Sequence, residues 1–171
     1  MVGTFGAIWG LAGVFLILVI PIYRLTIIAV EAFSYEFLWY HWVGLVLNTL
    51  FLAHVEGYRG FQKGFSPRVA VRAKYLKDHP NALYALLGPF FCMSYFFAPT
   101  KRKVFMISLT VGIIILILLI RLLSQPWRGI VDLGVVIGLT WGLISLFIFS
   151  LRAFTSEKFH YSPEVPDKEK T

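Results

Sequence analysis

Five stretches of this chain carry no charged residue: 2–23, 37–55, 79–100, 104–120 and 133–151. An α-helix needs about 20 mostly apolar residues to cross about 30 Å of hydrocarbon. Each stretch has nearly that length or more. A soluble fold has one core and no water-free place for so many runs. The chain is 58% hydrophobic and only 15% charged, where a soluble domain carries about 25% charge. The expected class is all-α, a polytopic helical bundle of the membrane. Residues 1–156 form its single domain, and the polar, proline-bearing stretch 157–171 is expected to be a disordered tail.

The first helix is expected over about 5–23, kinked near Pro21. No basic residue precedes it and Arg24 follows it, which is unlike a cleaved secretory signal; it is read as a retained helix. Arg24 to Glu36 reads as an interfacial turn, and Trp39, Tyr40 and Trp42 as an aromatic belt at the membrane surface. The second span covers 37–55. The third window opens at Asn81, a helix N-cap residue type, and contains Gly88-Pro89 near its middle, a pair that breaks or kinks a helix. Residues 82–98 are thus a kinked span or a re-entrant hairpin. Further spans are expected over 104–123 and 130–151, which makes four firm spans plus one broken segment.

The basic residues decide between the two readings of 82–98. Five full spans divide the sixteen lysines and arginines evenly, eight to a side. A re-entrant third segment puts thirteen on one side and three on the other. Positive charge accumulates on the cytoplasmic side, so the count favours the re-entrant form, with both termini and the basic loop 57–81 cytoplasmic. The membrane is expected to be a bacterial inner membrane or an organellar one. A net charge of +7 in so apolar a chain suits anionic lipid headgroups better than nucleic acid.

Two rows of glycine stand out. Gly134, Gly138 and Gly142 repeat at a spacing of four, with Ser145 continuing the row, and Gly6, Gly10 and Gly13 form a shorter version. Residues four apart share a helix face, and glycine lets a second backbone approach closely in lipid. The expectation is that the first and last helices pack through these faces, or that one of the faces makes a homodimer.

The polar concentration lies at 53–68, AHVEGYRGFQKGFSPR. Extending the second helix places Tyr58, Phe61 and Phe65 on one face and Glu56, Arg59 and Lys63 on another, the pattern of an amphipathic interfacial helix. Glu56 is expected to pair with Arg59 or Lys63. Ser66-Pro67 reads as the N-cap and first residue of a new helix. His54, Glu56, Arg59, Lys63, Arg68 and Arg72 are the candidate contacts for a lipid headgroup or another anion.

No catalytic constellation is legible. Cys92 is the one cysteine, so neither an intrachain disulfide nor a cysteine-built metal site can form. His41 and His54 lie about 20 Å apart along a helix and lack span-borne partners, since His79 and His160 sit beside polar segments; no haem, metal or other cofactor is expected. Asn48 is the strongly polar mid-span residue of the second helix, suited to bonding a neighbouring helix. No mid-span carboxylate is expected, which lowers a transporter reading. The expected function is a non-catalytic subunit, assembly factor or scaffold of a membrane complex. A small-solute transporter or channel and a lipid-modifying enzyme are the alternatives.

Overall fold

The structure is a computed structural model that describes residues 2–156, Tyr161 and Pro163. The tail reading and His160 otherwise lie outside the described residues. Every regular element described is helical: α1 (Val2–Ala32), α2 (Trp39–Leu52), a π-helix (Ala53–Phe65), α3 (Ser66–Asp78), α4 (Ala82–Leu86), α5 (Gly88–Cys92), α6 (Thr100–Ile120) and α7 (Trp127–Thr155). Three of them, α1, α6 and α7, are long and apolar enough to cross a membrane.

The first helix does not stop at Tyr23. It runs through Pro21 and the expected interfacial turn to Ala32. Tertiary contact accounts for the extension. Ala29 and Ala32 are buried, and Ala32 lies directly against Gly129 of α7. Each glycine or alanine in that seam lets the two backbones close.

α2 lasts 14 residues and then widens into 13 residues of π-helix, which pass without a break into α3. Ser66 is not an N-cap. Its backbone is right-handed helical, and its N–H donates to Phe61 O, five residues back. The cause is local. Pro67 has no N–H to give, and in an α-helix its ring collides with the carbonyl four residues earlier. A wider turn relieves that clash.

The third apolar window folds into two short helices. Asn81 caps α4, its side chain accepting from Leu83 N–H at 3.0 Å. The chain bends at Leu87, and α5 begins at Gly88. This pair lies on the glycine face of α1. A Cβ on Gly6 would sit 2.8 Å from that of Ala85, one on Gly10 would sit 2.8 Å from Cys92 Sγ, and one on Gly13 would overlap Pro89.

The last helix runs alongside the continuous path from α2 to α3. Gly134 faces Asn48 and Leu52, Gly138 faces Glu56, and Gly142 faces Phe61. Farther on, Lys77 Nζ stands over the Phe154 ring at 5.6 Å. α1 runs antiparallel to both, with Gly3 at Lys77 and Ala32 at Gly129. Val14, Leu18, Val69, Ala73, Cys92 and Leu146 close the core between them. The two glycine rows therefore do not face each other. α1 spends its row on α4 and α5, where small residues let the chains approach closely, and α7 spends its own on α2 and the π-helix, where the missing Cβ atoms admit the larger Asn48, Glu56 and Phe61.

α6 stands outside this bundle. Met106 is its one residue in the buried class, and Gly112 has no neighbouring atom within 4 Å of where a Cβ would be. Its first half is tied to the chain after α5 through the Thr110 and Tyr95 hydroxyls, at 2.5 Å.

Candidate functional site

The residues that face α7 from the path 39–65 are Asn48, Leu52, Glu56 and Phe61. Their spacing is four, four and then five. Four suits an α-helix whose face drifts slowly, and five is the step of a π-helix, in which hydrogen bonds reach back five residues. The wider turn rotates the polar face away from its α-helical register. Glu56 turns inward, and Arg59 and Lys63 stay exposed. The expected Glu56 ion pair with Arg59 or Lys63 is replaced by other contacts. Lys63 Nζ lies 4.6 Å from the centre of the Tyr58 ring, and His54 packs against that same ring at 5.7 Å. Glu56 Oε2 lies 2.9 Å from where a Gly138 Cβ would be. Among the described residues the carboxyl group has no hydrogen-bond or ion-pair partner.

Both flanks of Glu56 are pinned. Upstream, Asn48 Nδ2 donates to Ile130 O at 2.8 Å. Downstream, Trp141 Nε1 donates to Gln62 Oε1 at 2.8 Å, and its ring covers Gly57 at 3.0 Å from a Cβ position. Replacing Asn48 with leucine removes one interhelical bond, worth about 0.6 kcal/mol and at most about 1.7 in a membrane bundle. Reversible unfolding in mixed micelles is expected to show a loss of that size.

Arg72 sits elsewhere and does a different job. It is 1% exposed. Its Nε donates to Phe91 O at 2.7 Å, and Nη2 donates to Phe96 O at 2.8 Å and Phe97 O at 3.2 Å. Nη1 donates to Pro163 O at 2.9 Å. The guanidinium also stacks 4.3 Å from the Phe91 ring centre. The segment it gathers includes Ser94 and Phe97 at φ 67° and 52°, left-handed backbone that a non-glycine residue keeps only where its surroundings hold it. Arg72 therefore organises the turn that follows α5.

Arg68 is half-buried, and its Nε donates to Gly64 O at 2.6 Å. With Phe65, Cys92, Met93 and Arg102 it lines a cavity of about 10 Å³, room for a single water molecule and too small for a phosphate. The six residues singled out in the sequence thus fall in three places: an exposed rim of His54, Arg59 and Lys63, the inward carboxyl of Glu56, and the α3 arginines. Among the described residues no group of histidines, cysteines and carboxylates is placed to hold a metal. Sequence reading missed the Arg72 carbonyl cage, for which no short motif exists. It also missed the inward turn of Glu56, for which the five-residue step to Phe61 and the proline at 67 were available signals.

No known family, curated protein or solved structure matches the chain.

Proposed function

We propose that the chain is a multi-pass, non-catalytic component of a membrane complex, held to its partner subunit through α6. The observation that carries this reading is the isolation of α6. An apolar helix of 21 residues contributes almost nothing to its own bundle, yet carries Ser108 and Gly112 on an exposed face. Small and hydroxyl residues are what helices use to associate in lipid, and Gly112 faces open space. The occupant we assign to this face is a transmembrane helix of another subunit. In the same reading the path 39–65 makes a further crossing, residues 82–98 re-enter along α1, and both termini are cytoplasmic, in a bacterial inner membrane or an organellar one. The exposed Arg59, Lys63, Lys77 and Lys101 then meet anionic headgroups, each worth about 1 kcal/mol near a charged surface.

Gentle extraction from native membranes, native gel separation and mass spectrometry test the reading. A stoichiometric heteromeric complex is expected; a lone monomer or a homodimer opposes it. One observation favours a second reading, a proton-coupled carrier: Glu56 is an inward carboxyl against the middle of a spanning helix, a position typical of coupling residues. Solute flux in liposomes that is lost in Glu56→Gln would support that reading. The lipid-modifying alternative draws no such support, since His54 and Glu56 point to opposite sides of their helix.

A further inference from the structure

The charged groups around Glu56 are few. From α7 nothing charged faces it, because 133–151 holds no acidic or basic residue, and α1 has none before Arg24. On its own path, His54 is exposed and lies on Tyr58, Arg59 is exposed, and Lys63 is engaged with Tyr58. From α3, Arg68 reaches back to Gly64 O. What surrounds the carboxyl on the bundle side is the backbone of Gly138, with Leu52 one turn away at Gly134. A carboxylate half-buried in such surroundings lacks a counter-charge, and burying one is far more costly than burying the neutral acid.

We propose that Glu56 is a proton-binding site and that its neutral acid is the form seated against Gly138. Loss of the proton to the aqueous phase leaves a carboxylate that must leave this seat, and the π-helix, whose wide turn points Glu56 inward, loses that contact. The π-helix is thereby a proton-linked segment. The inference stands apart from the subunit reading, since it concerns one residue and its helix and neither needs nor excludes a partner.

The test uses the full chain in lipid vesicles. Infrared difference spectra between about pH 5 and 9 read the stretch of a protonated carboxylic acid. Amide exchange over residues 53–65, corrected for the intrinsic pH dependence, reads the helix. The expected result is a protonated-acid band at neutral pH that is missing in Glu56→Gln and fades as pH rises, with exchange over 53–65 rising in step. Glu56→Gln, which mimics the neutral acid, is expected to fold as the wild type does and to show exchange independent of pH. Identical acid bands in the two proteins would overturn the proposal. So would a glutamine variant that unfolds, or wild-type exchange over 53–65 that does not follow the band.

Discussion

Gly142→Leu is expected to destabilise the bundle by about 1–3 kcal/mol, the usual cost of overpacking a filled core, and Gly112→Leu by less than about 0.5 kcal/mol. The two substitutions are chemically identical and both lie on long apolar helices. They differ in what the new side chain meets. At Gly142 a Cβ would stand 2.5 to 2.8 Å from three carbons of the Phe61 ring, while at Gly112 it meets nothing within 4 Å. Phe61 cannot swing away freely, because it packs with Phe65 at 5.4 Å between ring centres and against the Val14–Leu146 core. Unfolding curves in mixed micelles measure both. Equal effects would mean that α6 packs as tightly as α7.

Arg72→Met is expected to be the most damaging single change in α3. Methionine fills much of the aliphatic volume, so the loss isolates the guanidinium. Its removal leaves the carbonyls of Phe96 and Phe97 without the donor that each now has, while Phe91 O keeps the Ser94 N–H at 3.0 Å. A buried polar group left unsatisfied costs about 1–3 kcal/mol, so for two carbonyls a total of about 2–6 kcal/mol is expected. The left-handed turn at Ser94 and Phe97 should open first, which limited proteolysis across 93–99 detects. Arg72→Lys is expected to recover only part of the loss, because one ammonium cannot span carbonyls that a planar fork reaches together. Full recovery with lysine would show that charge alone, and not geometry, holds the turn.

The membrane class was legible because it rests on composition and window length, and α1, α6 and α7 carry that signal plainly. The break at Gly88-Pro89 and the cap at Asn81 were legible for the same reason, being one-residue rules of backbone chemistry. What could not be read was which face of each helix meets which neighbour. Gly134, Gly138 and Gly142 announce a close contact, but the same row would admit α1, a second copy or α2. The choice depends on Asn48, Glu56 and Phe61 arriving at the right heights, and that requires a π-helix. A sequence read at α-helical period throughout puts Glu56 beside Arg59 on a solvated face. Pro67 does stand in the first turn of an α-helix, α3, as its residue type suggests, but the chain reaches it by widening the preceding turns rather than by an N-cap at Ser66. The helix expected from Pro67 inside the basic cytoplasmic loop 57–81 is present as α3, but it is not solvated: Val69, Ala70, Ala73 and Leu76 are all fully buried. Its apolar residues are too few to look like a core helix until Arg72 is seen to be caged rather than solvated.

Position-by-position photo-crosslinking along α6 in native membranes tests the central claim, that this helix is the partner-facing element of an otherwise self-contained bundle. A partner helix covers one face only. Adducts to one discrete polypeptide of another kind are therefore predicted at a helical spacing on the Gly112 face, for example at Ser108, Gly112, Ile115 and Leu119, with lipid adducts elsewhere on the exposed surface and none to the partner from Met106, which the bundle already covers. Lipid adducts at every exposed position, or adducts only to a second copy of the chain, would contradict the account.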